Sequence, residues 1–125
     1  MSDTTEEKTV VGRYERVAVT GTTGNEEVTA KIDTGSDRST VDETVLSAIG
    51  RTGTVDDVTT RSGDGTETRE IVCVCVELRD VPRAGRVVEV DVSDRSGYTG
   101  DLLIGADLLR ELELVVDVTD DDLPT

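Results

Sequence analysis

Apolar residues along this chain recur mostly at every second position. Val28, Ala30 and Ile32 alternate with Thr29 and Lys31, and Val17 and Val19 sit two apart just upstream. Gly21 to Asn25 lies between these stretches and reads as a turn. Val10 and Val11 open an earlier strand, and Val88, Val90 and Val92 alternate with Glu89 and Asp91 to give a later one. A period of two predicts strands with one buried face. Ile71-Val72-Cys73-Val74-Cys75-Val76 is apolar on both faces, which predicts a central strand.

That run is the second arm of a hairpin over Val58 to Val76, broken at Ser62-Gly63-Asp64-Gly65. Helical spacing is confined to two short stretches. In the first, Thr40 and Glu43 form a capping box, Val41, Val45, Ala48 and Ile49 share a face, and Gly50 can end the helix. In the second, Ala106 to Leu112 follows the buried strand Leu102-Leu103-Ile104-Gly105 and carries Asp107 in its first turn. Leu114 to Val118 forms a last strand. The sum is a mostly β, barrel-like domain over residues 10–119, with one or two short helices. Residues 1–9 read as a disordered tail and 120–125 as an acidic one.

Charge narrows the function classes. The 125 residues hold 28 acidic and 13 basic side chains, a formal net charge of −15 spread along the chain. That surface excludes binding to nucleic acid or an anionic membrane, both of which need basic patches. No segment is apolar enough to span a bilayer, and the start of the chain lacks an apolar signal core, so a cytoplasmic location is expected. Cys73 and Cys75 point the same way on a strand, about 7 Å apart, too far for an undistorted disulfide. Buried, reduced thiols are expected there. The chain has no histidine, so no metal and no cofactor is expected.

The strand Val28–Ile32 runs into Asp33-Thr34-Gly35-Ser36. Composition alone predicts about 0.2 copies of Asp-Thr-Gly by chance, so the triplet needs its context. A carboxylate at a strand end is rigidly held, and a following glycine lets backbone approach it closely. A hairpin lies some thirty residues on, and Gly105 comes 72 residues after Asp33. This order resembles that of retropepsins. Longer blocks sharpen the likeness: Val11-Gly12-Arg13-Tyr14-Glu15, Ala30-Lys31-Ile32-Asp33-Thr34-Gly35, Arg61-Ser62-Gly63, Asp94-Arg95-Ser96-Gly97, and Leu103-Ile104-Gly105-Ala106-Asp107-Leu108-Leu109. They are similar to small retropepsin-like proteins labelled ATP-dependent zinc proteases and associated with ATP-grasp glutamate ligases. Only Lys8 and Lys31 are lysines, and the core residues are small, which resembles proteins of salt-in haloarchaea.

The resemblance implies a closed retropepsin-like β-barrel that forms half of an active site. Asp33, Thr34 and Gly35 are then catalytic, and Ser36, Ser62, Gly63, Asp64, Gly65, Ile104 and Gly105 lie against substrate. One departure is Ala106, where the family pattern has arginine or asparagine. The zinc label finds no ligand set in this sequence, and no phosphate-binding Gly-Lys-Ser/Thr loop supports an ATP requirement. Aspartic chemistry needs two carboxylates sharing a proton. Asp33 is the only aspartate in an Asp-Thr/Ser-Gly motif, so the second must come from another copy, in a homodimer acting on a peptide or protein. Leu114 to Val118 offers an edge for that association. Arg38, Arg61, Arg69 and Arg95 surround the expected cleft; they either offset nearby carboxylates or recognise an acidic substrate. The rival reading is a catalytically idle dimer of the same fold that binds a peptide or partner.

Overall fold

The computed structural model describes residues 8–50, 56–62, 65–80 and 85–124. The element order is β1 (Thr9–Val11), β2 (Tyr14–Thr20), β3 (Asn25–Ile32), β4 (Thr40–Asp42), α1 (Glu43–Ile49), β5 (Asp56–Ser62), β6 (Gly65–Leu78), β7 (Arg86–Ser93), β8 (Leu102–Ile104), α2 (Ala106–Glu111) and β9 (Leu114–Val116).

The alternation seen in the sequence becomes the inside of a barrel. Neighbours run β2-β3-β8-β4-β7-β6, and β6 returns to pair with β2, so six strands close on themselves. Val17 and Val28 face each other across β2 and β3, and both are buried with Val19, Ala30 and Ile32. Strand β6 is 14 residues long and serves three partners in turn. Gly65 to Ile71 pairs with β5, Ile71 to Val76 with β7, and Cys75 to Leu78 with β2. The β5–β6 hairpin is thus an arm carried on the barrel. Strands β1 and β9 form a separate parallel pair, Thr9 opposite Leu114 and Val11 opposite Val116. Closure removes the open edges of these six strands.

Valine dominates the core, joined by Leu46, Ile49, Leu102, Ile104 and Leu108. With no Phe or Trp in the sequence, many β-branched side chains fill the space that a few rings fill elsewhere. The β2–β3 turn packs on the end of α1: Thr23 N and Gly24 N both donate to Ile49 O, satisfying a helix-end carbonyl. Gly50 follows at φ 91°, a conformation glycine adopts without strain.

Several local expectations are corrected. Thr40 does not cap the first helix. Thr40–Asp42 is a short strand between β8 and β7, and the cap is Asp42, whose carboxylate accepts from Thr44 N at 3.0 Å and from the Thr44 hydroxyl. Val41 is fully buried in the sheet, so the helix starts only after it. Leu46, not Ala48, shares the buried face with Val45 and Ile49. Asp91, on the outward side of an alternating strand by sequence, is 1% exposed, because both faces of β7 are covered there. Cys73 and Cys75 form no disulfide and are half-buried rather than buried. Strand β9 is paired with β1 along one edge. Among the described residues, no helix is long and apolar enough to cross a membrane.

Candidate active site

Strands β3 and β4 flank β8 on opposite sides. The chain between them, residues 33–39, must therefore cross over the end of β8. This crossover carries the Asp33-Thr34-Gly35 triplet. Ile32 pairs with Ile104 in the parallel β3–β8 ladder, and Asp33 N donates to Ile104 O at 2.9 Å. Ser36 N closes the turn on Asp33 O at 3.2 Å. Gly35 N donates to Asp33 Oδ1 at 2.9 Å, an Asx-type turn that aims the carboxylate. A Cβ at Gly35 would stand 3.3 Å from that same oxygen. Asp33 itself is half-exposed.

Gly105 lies directly beneath the crossover. A Cβ there would sit 2.7 Å from both Ser36 O and Arg38 O, so this position has no room for a side chain. Ala106 N, at the start of α2, donates to Ser36 O at 2.7 Å, and Gly105 N donates to Ser39 Oγ at 2.9 Å. Ser39 in turn meets Asp107 of α2 through its hydroxyl at 2.7 Å and its N–H at 3.1 Å.

Five of the residues singled out from sequence, Asp33, Gly35, Ser36, Ile104 and Gly105, are thus brought together at one strand end. Ser36 is half-buried, with its hydroxyl donating to Arg38 O. Ile104 contributes its carbonyl, while its side chain is fully buried in the core. Thr34 is exposed and lines a hollow of about 470 Å³ with Ala106, Leu109, Leu114 and Val115. Ser62 pairs with Gly65 next to the hairpin tip, and Gly65 has φ 126°. Gly63 and Asp64 lie outside the described residues.

The arginines divide. Arg38 and Arg69 each approach the buried Asp91 carboxylate at 3.6 Å, on opposite oxygens, and Thr40 Oγ1 donates to it at 2.5 Å. Arg95 is buried and closes its own loop, donating to Gly100 O and Thr99 O, with its guanidinium 5.4 Å from the Tyr98 ring centre. Burial pushes its pKa down. Arg61 lies on β5.

Asp42 holds the same loop from the other side, accepting from Arg95 N at 2.6 Å. Burial alone would push the Asp42 carboxyl up, yet the hydrogen bonds from Thr44 and Arg95 outweigh it and hold the group below the usual carboxylate range. Among the described residues, no three His, Cys, Asp or Glu side chains are grouped to hold a metal ion.

Ser39 and Asp91 carried no signal in the sequence, because Ser39 meets Asp107, 68 residues on, and Asp91 meets Thr40, 51 residues back. Asp42 has a local partner in Thr44, but its bond to Arg95 N, 53 residues on, was equally hidden. Asp107 was visible only as an acid in a helix's first turn.

Comparison with known proteins agrees with this geometry. The family model described as aspartyl protease matches residues 19–108. A search of curated proteins gave no match. Among solved structures, the chain is similar to EIAV protease in complex with the inhibitor HBY-793, with TM-score 0.65 and 13% identity, covering 94% of this chain and 100% of that one. It is also similar to Lpg0085 of Legionella pneumophila subsp. pneumophila str. Philadelphia 1, a protein of unknown function, with TM-score 0.59, 18% identity and coverage of 90% and 95%. A closed barrel with a half-exposed aspartate on the crossover above Gly105, and a family match over most of its length, together assign the chain to the aspartyl protease family, with a retropepsin-like fold.

Proposed function

We propose that the protein is a homodimeric aspartic endopeptidase in which each subunit supplies one Asp33. The observation that carries this reading is the Asp33 carboxyl itself, half-exposed at a rigid strand end and oriented by Gly35 N. Two such groups about 3 Å apart cannot both ionise readily, so the pair shares one proton and titrates as a unit. The ionised carboxylate takes a proton from water as the water oxygen bonds to the peptide carbonyl carbon. The protonated partner gives its proton to the carbonyl oxygen. Collapse of the resulting diol breaks the C–N bond, and the leaving amine takes up a proton.

The hollow beside Thr34 supports association on that side. It is lined by Ala106, Leu109, Leu114 and Val115, and Val115 and nearby Val10 of the β1–β9 pair are exposed. A second copy seated there would bring its triplet towards the first, with the Thr34 hydroxyl as a brace across the two-fold axis. Ser36, Gly105 and the hairpin tip at Ser62 to Gly65 would line the substrate channel. The substrate is a peptide or protein, acidic if Arg38 and Arg69 reach it. We read residues 10–119 as the body of the folded unit, extended by Thr9 at the start of β1, and the acidic surface with few lysines as a salt-adapted cytoplasmic protein of haloarchaeal type. The motif blocks favour the ATP-grasp-associated subfamily, without its zinc.

The test is cleavage of a mixed peptide library in molar salt by wild type and Asp33→Asn, with and without a strong chelator, alongside the mass in solution. Expected are twice the subunit mass, chelator-resistant cleavage by wild type and none by Asp33→Asn. Undiminished cleavage by Asp33→Asn refutes the mechanism. A wild-type dimer that cleaves nothing favours a binding module instead.

A further inference from the structure

We propose that Ser39 and Asp107 are positioning residues, a clamp that holds the Asp33 crossover in register with β8 for the reaction proposed above, on which this inference rests. The crossover over residues 33–39 rests on three consecutive residues. Ile104 O takes Asp33 N, Gly105 N reaches Ser39 Oγ, and Ala106 N reaches Ser36 O. Two of these contacts are backbone to backbone and follow from the fold. The third runs through the Ser39 side chain, which is 0% exposed.

A serine hydroxyl has one proton to give. Ser39 Oγ accepts from Gly105 N at 2.9 Å and gives its proton to Asp107 Oδ1 at 2.7 Å. Asp107 is also fully engaged. Its Oδ1 takes Leu108 N at 2.8 Å, and its Oδ2 takes Ser39 N at 3.1 Å. Three donors therefore converge on one carboxylate, at the foot of the loop whose other end is Asp33. An amide cannot replace it. In one orientation the side chain introduced by Asp107→Asn would aim its NH2 at Ser39 N, in the other at Leu108 N, and each places donor against donor.

Gly105 leaves no space between β8 and the crossover, so loss of the clamp cannot be absorbed by settling inward; the loop must slide or lift. The dyad depends on the separation of two Asp33 carboxyls, one per subunit, and any slide is imposed on both. A misplacement of about 1 Å can cost on the order of 100-fold in rate.

The experiment compares wild type, Ser39→Ala, Asp107→Asn, the conservative Ser39→Thr and the control Ser47→Ala, all in molar salt. Ser47 is exposed, and among the described residues its hydroxyl bonds within its own helix, to Glu43 O. Folding is checked by circular dichroism. Two readouts follow: kcat and KM against pH for a cleaved peptide, and the pH titration of the Asp33 side-chain carboxyl carbon by NMR. Expected for Ser39→Ala and Asp107→Asn is a fall in kcat of about 10- to 100-fold with KM within about threefold. Their pH profiles should shift, and Asp33 should titrate differently. Ser39→Thr recovers most of the rate, and Ser47→Ala matches wild type. An unchanged pH profile and Asp33 titration in both disrupted variants, while folded, overturns the clamp. If wild type cleaves nothing, the proposed protease function fails, while the Asp33 titration still decides the clamp. If Ser39→Ala does not fold, Asp107→Asn carries the decision.

Discussion

Gly105→Ala tests how tightly the crossover is seated on β8. The backbone at Gly105 is extended, with φ −97° and ψ −171°, which any residue adopts, so the cost of a methyl group is steric alone. That methyl would stand 2.7 Å from Ser36 O and from Arg38 O and 2.9 Å from Arg38 C. All three are backbone atoms, which cannot rotate aside as a side chain would. The crossover must lift, stretching the 2.7 Å bond from Ala106 N to Ser36 O. Overpacking of this kind costs about 1–3 kcal/mol, and a weakened hydrogen bond adds about 1 kcal/mol. Reduced freedom of the unfolded chain returns about 0.4–1 kcal/mol. The net loss is about 1–3.5 kcal/mol, a fall in melting temperature of roughly 3–18 °C for a domain of this size. Thermal unfolding by circular dichroism in molar salt measures it. Gly97→Ala is the matched control, because a Cβ there meets nothing within 4 Å. A Gly105→Ala variant melting within about 1 °C of wild type would refute the close seating of the loop.

Asp42→Ala removes the cap of α1 and leaves Arg95 N without its acceptor, so it should cost about 1–3 kcal/mol at neutral pH, read by urea unfolding. Asp42 has a lowered folded pKa, so its charge-linked stability is fully present above about pH 4 and is lost as pH falls through the folded value. The variant should therefore show a flatter loss of stability than wild type below about pH 4. Asp91→Ala strips the buried carboxylate from between Arg38 and Arg69 and leaves Thr40 Oγ1 without its acceptor. Both arginines reach solvent, so the cost falls below that of a fully buried pair, at about 2 kcal/mol, measured by the same unfolding curves.

The strands were legible because each needed only its own neighbours in sequence. Val28, Ala30 and Ile32 declare a buried face by spacing alone, and the Ser62-Gly63-Asp64-Gly65 break between polar arms declares a hairpin. Strand β4 was hidden for the opposite reason. Three residues are too few to show a period, and Thr40 to Glu43 also satisfies a helix-start pattern. What decided between them was a gap between β8 and β7 that only Val41 and its neighbours fill. The site divides in the same way. The Asp33 triplet and Gly105 are visible as motifs at two strand ends, but their contact is a property of the parallel β3–β8 ladder. Asp91 is the outward member of an alternating pair, and only the cover over that face of β7, where Arg38, Arg69 and Thr40 meet it, buries it. Ser39 is an ordinary serine until a helix far along the chain brings Asp107 to it.

The parallel ladder between β3 and β8 also sets a timetable for synthesis. Asp33 N finds its acceptor on Ile104, 71 residues later in the chain. At about 5–20 residues per second, a ribosome needs roughly 4–14 s to supply that partner after Asp33 has been made. Until then β3 has β2 beside it but nothing on its other edge, and the crossover has no strand end to rest on. The hairpins β2–β3 and β5–β6 join neighbours in the chain and can form early, whereas β8 is inserted between β3 and β4, both made long before it. Such distant pairings carry the largest loop-closure entropy and form last. The triplet is therefore among the last parts of the molecule to take shape, and a nascent chain carries Asp33 without a built site around it.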